Sequence, residues 1–127
     1  MTRERFEEIA QQAYDKLPDR FRHRIDNVRI VIEDLPDPET ARDQGVGRRS
    51  LLGLYQGVPL PHRNSWYGAT PTTPDTITLY RKNIESYSGG DEAETERQIV
   101  ETLLHELGHY FGMNEEEVRR ALDELDE

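Results

Sequence analysis

The segment of residues 91–111 constrains the fold of this chain most, because its pattern is that of one long amphipathic helix. Four acidic residues crowd its first turns, where the positive end of a helix dipole favours them. With a step of about 100° per residue, its apolar side chains occupy an arc of roughly 140°. They are Ile99, Val100, Leu103, Leu104, Leu107, Tyr110 and Phe111. We predict that this face packs on the core and that the helix ends at Gly112, since glycine readily adopts the left-handed conformation.

Two histidines lie on the other side of this predicted helix. On the same wheel His105 and His109 fall near about 240° and 280°, almost opposite the apolar arc. Their positions four residues apart place the two imidazoles one above the other, so that both can bind one metal ion. Glu106 falls near about 340°, at the margin, where it can reach a water held by that ion. The motif H-E-x-x-H on a helix therefore indicates two metal ligands and a general base.

A third ligand must be sought beyond the helix end. The chain has no cysteine, so a transition metal must be held by histidine and carboxylate. Gly112 lets the backbone turn after His109, and Glu115 can then approach the metal from outside the helix. Two histidines and one carboxylate leave the fourth position of a tetrahedral Zn²⁺ ion to water. Glu116 and Asp123 remain alternatives, because acidic residues here also suit the first turn of a following helix.

The rest of the chain suggests a first helix, three strands and a last helix. Apolar side chains at helical spacing predict a helix that Thr2 caps and that Pro18 stops. They are Phe6, Ile9, Ala10, Ala13 and Leu17. Three short runs are typical of strands, namely "NVRIVIED", "LLGLY" and "TITLYR". Asn114 is expected to cap the last helix, whose apolar residues are Val118, Leu122 and Leu125.

Two segments rich in proline and glycine, residues 34–49 and 56–75, are predicted to be loops. His62 and Tyr67 in the second loop, and Tyr80 in the third strand, are candidates for stabilising an oxyanion, and none of them is assigned that role. The strand that runs from about residue 78 to 81 is a candidate exposed edge, to which an extended peptide could add.

Composition limits the partners. The net charge is −10, and the whole excess lies in residues 64–127, which hold 5 basic and 15 acidic groups. Such a field repels phosphate, so we expect neither nucleic acid nor an anionic membrane as partner. A length of 127 residues suits a single domain, residues 1–127, which we expect to be monomeric. With no segment of the signal-peptide type and no run of about 20 apolar residues, we expect a cytoplasmic protein.

The stretch "HELGHYFGMNEEE" resembles the zincin metallopeptidases, and in particular the small bacterial zincin-like family, the minimal zincins. The segments "LLGLYQGVPL" and "PDTITLYRKNIE" are similar to pieces that precede the metal helix of that family. The resemblance implies an α+β fold with an N-terminal helix, a small three- to four-stranded sheet, a metal-binding helix and a short C-terminal helix. It also implies that His105, His109 and Glu115 bind Zn²⁺, and that Glu106 is the general base in hydrolysis of a peptide or protein substrate.

Other metalloprotein classes fit less well. Metzincins have histidine at the position of Glu115 and a methionine turn well downstream, which Met113 cannot supply. Bacterial endoribonucleases of ribosomal RNA maturation are similar in the spacing of their ligands, but they lack the glutamate of position 106 and keep histidine at position 115. A metal-dependent nuclease of that kind, or a non-catalytic zinc-binding interaction module, remains the alternative to a peptidase.

Overall fold

Six helices and three strands lie within the part of the chain that the computed structural model describes, residues 1–25, 27–58 and 75–125. In chain order they are α1 (Arg3–Asp15), α2 (Asp19–Arg22), β1 (Val28–Glu33), α3 (Pro38–Asp43), β2 (Gly53–Gln56), β3 (Asp75–Tyr80), α4 (Arg81–Tyr87), α5 (Glu92–Phe111) and α6 (Glu115–Leu125). The predicted α+β class is confirmed, and so are the first helix, the three strands, the long helix and the last helix.

The three strands form one sheet in the order β1-β3-β2. β1 runs parallel to β3, with Ile30 opposite Ile77, and β2 runs antiparallel to β3, with Tyr55 opposite the same residue. β3 is thus the central strand, and the prediction that its end forms an exposed edge is wrong. Almost every residue of β3 is buried, as expected for a strand covered on both faces. The edge strand that contacts α5 is β2.

The core lies between the sheet, α1 and α5. The predicted inner face of α1 is buried, and Thr2 caps this helix by accepting a hydrogen bond from the Arg5 N–H at 3.1 Å. The predicted apolar arc of α5 is also confirmed, with Val100 at its partly buried margin. α5 therefore presents one face to the core and leaves its histidine face beside β2 and α6.

Both ends of α5 and the start of α6 follow the predicted signals. α5 begins after Asp91 and ends at Gly112, whose φ of 73° is left-handed. Asn114 then caps α6: its Oδ1 accepts a hydrogen bond from the Glu117 N–H at 2.9 Å, and its own N–H donates to Glu117 Oε1 at 3.2 Å. This reciprocal capping box fixes the point at which α6 begins.

Three short helices were not predicted. α3 interrupts the segment of residues 34–49, because Pro38 occupies the first helical turn, where proline is tolerated. α4 follows β3 directly, and its Ile84 is fully buried. Such short helices depend on tertiary packing rather than on a periodic pattern, so the sequence gives little sign of them. The predicted loop of residues 56–75 falls mostly outside the described residues, as do His62 and Tyr67.

In the described ranges, none of the helices has both the length and the apolar character that crossing a membrane requires.

Close packing of α6 on α5 depends on Gly108. A Cβ atom at this position would lie 2.5 Å from Val118 Cγ2, which is too close for any ordinary contact. The absent side chain therefore lets α6 approach the histidine-bearing end of α5.

We predict that Gly108→Ala lowers the free energy of unfolding by about 1–3 kcal/mol through overpacking. Without overpacking, alanine would stabilise the helix by about 0.5–1 kcal/mol over glycine. The sign of the change in the free energy of unfolding therefore shows whether overpacking or helix propensity dominates. In a Val118→Ala background the same change should lose its penalty, which a double-mutant cycle of denaturant unfolding measures. An equal effect in both backgrounds would contradict this contact.

Candidate metal centre

His105, His109 and Glu115 come together where α5 ends and α6 begins. One potential ligand atom from each residue lies within 4.8 Å of the other two. The two imidazole centroids are 5.0 Å apart, as expected for neighbouring turns of one helix. Because the chain turns at Gly112, a Glu115 carboxylate oxygen lies 3.3 Å from His105 Nε2. No other cluster of three potential ligands occurs in the described ranges, so neither Glu116 nor Asp123 belongs to one.

The donor set fits a divalent transition metal. Zinc prefers imidazole nitrogen and carboxylate oxygen at about 2.0–2.2 Å, and tetrahedral ligand atoms are then about 3.4 Å apart. The observed spread of up to 4.8 Å is somewhat wider, so binding requires the three side chains to move inward. Side-chain exposures of 39% for His105, 45% for His109 and 74% for Glu115 leave them room to do so. Three protein ligands leave one coordination position open.

Glu106 is buried beside this cluster, although its chain neighbour His105 is partly exposed. Its Oε2 lies 3.0 Å from His105 Nδ1, and its Oε1 lies 3.6 Å from His109 Nδ1. Since a carboxylate can only accept, both ring nitrogens of His105 face acceptors: Nδ1 faces Glu106, and Nε2 faces Glu115. The contact with Glu106 thus orients the His105 ring so that Nε2 faces Glu115.

A comparison with known protein families shows to which family the chain belongs. The family model described as zincin-like metallopeptidase matches residues 25–124 of the 127-residue chain. The chain belongs to the zincin-like metallopeptidase family. No curated protein matches it. The match begins before β1 and ends within α6, so it includes the whole sheet, both helices of the metal centre and the H-E-x-x-H motif.

In this zincin-like chain the backbone of β2 fixes Glu106. The Tyr55 N–H donates to Glu106 Oε1 at 2.9 Å, and the Tyr55 hydroxyl donates to the buried Asp75 carboxylate at 2.6 Å. The Tyr55 ring also packs edge-on against Tyr110 at a centroid distance of 6.1 Å. Tyr55 is therefore held at both ends, and its N–H is aimed at the candidate base.

Gly53 brings β2 close enough for that hydrogen bond. A Cβ atom here would lie 2.7 Å from Thr102 Cγ2 and 3.4 Å from Glu106 Cγ. Neither Tyr55 nor Gly53 was predicted to serve the site. A glycine within a strand pattern is a usable sign of close backbone approach, whereas a backbone donor has no sign in the sequence.

Tyr80, a candidate for stabilising an oxyanion, is 3% exposed at the end of β3. Burial raises its pKa above that of an ordinary phenol, and the charges of Glu33, Asp37 and Glu106 add to this effect. The side chain is neutral at physiological pH and belongs to the core.

Electrostatics at the centre favour a protonated His105 in the absence of metal. The hydrogen bond to Glu106 raises the pKa of His105, burial opposes this shift, and the charges of Glu106 and Glu115 reinforce it. A folded-state pKa above the unfolded value means that protonation of His105 stabilises the metal-free fold.

We predict that Glu106→Gln lowers the pKa of His105 in the metal-free protein, because the carboxylate is the largest cause of the shift. The stability that this pair contributes should be fully present below the unfolded histidine pKa of about 6.5. It should disappear as the pH rises through the raised folded value. Titration of the imidazole resonances by NMR with chelator present, and melting curves across the same range, measure both effects.

Glu101→Gln is the matched control, since Glu101 lies one turn earlier and pairs with Arg97 rather than with a histidine. A His105 pKa that is equal in the parent and in Glu106→Gln would contradict the proposed pairing.

Proposed function

We propose that this chain is a zinc-dependent peptidase that cleaves peptide bonds in a peptide or protein substrate. The observation that carries this proposal is the convergence of His105, His109 and Glu115 beside a buried glutamate. Membership of the zincin-like metallopeptidase family supports the same class of reaction.

Each residue has a separate task in this mechanism. His105, His109 and Glu115 hold the metal, which when bound supplies Lewis acidity and makes water acidic enough to lose a proton near neutral pH. Glu106 accepts that proton on its carboxylate and returns it to the leaving amine. The Tyr55 N–H keeps Glu106 Oε1 in place, while Oε2 is the oxygen that exchanges its contact with His105 for the proton.

The sheet offers a place for the substrate backbone. β2 is the outer strand of the described sheet on the side of α5, and it runs past Glu106. An extended peptide that lies beside β2 passes the metal centre, while the Tyr55 N–H stays bonded to Glu106 and takes no part in pairing with the substrate. β2 thus takes the place of β3 as the strand beside which the substrate lies, because β3 is the central strand.

The acidic balance of the chain argues against the nuclease alternative. A net charge of −10 disfavours approach of an RNA backbone. A glutamate also stands at both of the positions, 106 and 115, at which the ribosomal RNA maturation nucleases differ from this sequence. A neutral or cationic peptide is the better match to the site.

We predict that the purified protein binds Zn²⁺ at one equivalent and that His105→Ala abolishes this binding. Glu115→Ala should weaken zinc binding by at least about tenfold, because it removes one of three protein ligands. Glu116→Ala and Asp123→Ala are matched controls, and elemental analysis with competitive chelation gives the affinities. A greater loss from either control than from Glu115→Ala would reassign the third ligand.

Removal of the metal distinguishes a catalytic centre from a structural one. The ligand side chains are partly exposed and lie outside the hydrophobic core, so the chelated protein should stay folded. Zinc should then raise stability only by mass action, by about 2.7 kcal/mol at a hundredfold excess over Kd. Unfolding on chelation would indicate the non-catalytic zinc module instead.

We predict that Glu106→Gln retains zinc and loses peptide cleavage by about 10²–10⁴-fold, since general base catalysis contributes that much. The readout is cleavage of a mixed peptide library followed by mass spectrometry, with the zinc content measured on the same samples. A zinc-replete Glu106→Gln protein as active as its parent would remove Glu106 from the mechanism.

A further inference from the structure

The carboxylate of Asp75 is buried in the central strand and has no part in the mechanism proposed above. Asp75 is the first residue of β3 and is 1% exposed. Its Oδ2 accepts a hydrogen bond from the Tyr55 hydroxyl at 2.6 Å, and its Oδ1 accepts one from the Val58 N–H at 3.4 Å. A carboxylate removed from water requires such donors, and the shorter distance is that of a charge-assisted hydrogen bond.

The chain bends closely around this carboxylate where β2 ends. A Cβ atom at Gly57 would lie 2.3 Å from Asp75 Cγ, so a side chain does not fit between the end of β2 and the carboxylate. The Asp75 N–H donates to the Asn27 carbonyl at 2.9 Å, just before β1 begins. Asp75 therefore holds the end of β2 from a point that is itself fixed to β1.

The register of β2 determines which backbone N–H faces Glu106. The Tyr80 N–H donates to the Leu52 carbonyl at 2.9 Å, and antiparallel strands alternate between hydrogen-bonded and non-hydrogen-bonded pairs. Tyr55, three residues after Leu52, therefore directs its N–H away from β3 and towards α5. A shift of one residue would turn this N–H towards β3 and leave Glu106 without its donor. β2 has only four residues, so its own pairing offers few hydrogen bonds to resist such a shift.

The side chain of Tyr55 connects this register with Asp75. Tyr55 stands opposite Ile77, and Asp75, two residues before Ile77, is its diagonal neighbour on the same face of the sheet. A shift of one residue would move the phenol to the opposite face, away from the carboxylate. The hydrogen bond between the hydroxyl and Asp75 therefore favours the register that directs the Tyr55 N–H to Glu106.

We propose that Asp75 is a positioning residue for the general base, which acts through Tyr55 by holding the register and direction of β2. The inference rests on the proposed function, because Glu106 is a base only if the chain is a hydrolase. It goes further by extending the site to a residue of the central strand that lies outside the metal centre.

Tyr55→Phe and Asp75→Asn test this role with little change in shape. The first removes the hydroxyl but keeps the ring and the backbone N–H, and the second keeps one acceptor oxygen. With zinc-loaded protein and a peptide that the parent cleaves in the mixed library, Tyr55→Phe should lower kcat by about 10–100-fold. Asp75→Asn should lower kcat less, and the double variant should lower it no further than Tyr55→Phe alone. KM and the affinity for zinc should stay within about twofold of the parent values, because the ligands are unchanged.

Tyr87→Phe is the matched control. It removes a phenol hydroxyl from α4, where the side chain is 68% exposed, and should leave kcat unchanged.

A second measurement follows the position of β2 without turnover. Hydrogen exchange by NMR on the metal-free protein should be at least about tenfold faster at the amide of position 55 in both variants. Amides of the central strand β3 should keep their protection, since a local opening affects only the amides that it exposes. A general loss of stability would instead speed exchange throughout the sheet.

The outcomes separate this inference from the proposed function. Unchanged kcat in both variants, or a loss of protection shared by the whole sheet, overturns the positioning role of Asp75 and leaves the metal centre in place. A parent protein that binds zinc but cleaves no peptide overturns the proposed function. Selective loss of protection at position 55 would then still support the positioning of Glu106 by Asp75, and its absence would overturn that as well.

Discussion

The hydrogen bond from the Tyr55 N–H to Glu106 is the contact on which the site depends. It joins the outer strand of the sheet to the helix that bears both histidines, and it orients the carboxylate that holds His105. A buried carboxylate left without partners would be costly, so this bond and the one to His105 make the burial of Glu106 tolerable. The close approach needed for it exists because position 53 carries no side chain.

The direction of the chain after α5 is the second constraint. A left-handed residue at Gly112 and the capping box of Asn114 leave only a short turn between the two helices, so α6 folds back along α5. Glu115 then stands at the first position of α6, near the imidazoles. One backbone reversal thereby brings the third candidate ligand to the two histidines.

The sequence was most informative where one local signal determines the outcome. Helical geometry within a short stretch explains the span of α5, its end at Gly112 and the cap at Asn114. It also explains why His105, His109 and Glu115 converge. The edge of the sheet was assigned wrongly, because alternation along "TITLYR" describes two faces and carries no information about which strands lie on either side. The wheel placed Glu106 at the margin of the apolar arc, but its burial depends on a backbone donor 51 residues away.

The same physical reason explains what was missed elsewhere. The short helix Arg81–Tyr87 depends on the burial of Ile84 and on the hydrogen bonds of Asn83, and neither has a periodic signature in seven residues. The pairing of Tyr55 with Asp75 likewise joins side chains 20 residues apart across the sheet. Propensity and periodicity describe neighbours in sequence, whereas these features arise only once the tertiary fold has formed.

The three candidate metal ligands span only residues 105–115, whereas the hydrogen bond that orients Glu106 comes from the distant sheet. Folding of the helix and the turn alone brings the candidate ligands near one another, but the orientation of Glu106 requires the assembled sheet. Protection of the Tyr55 amide from hydrogen exchange would therefore report on that assembly, which the zinc content alone does not measure.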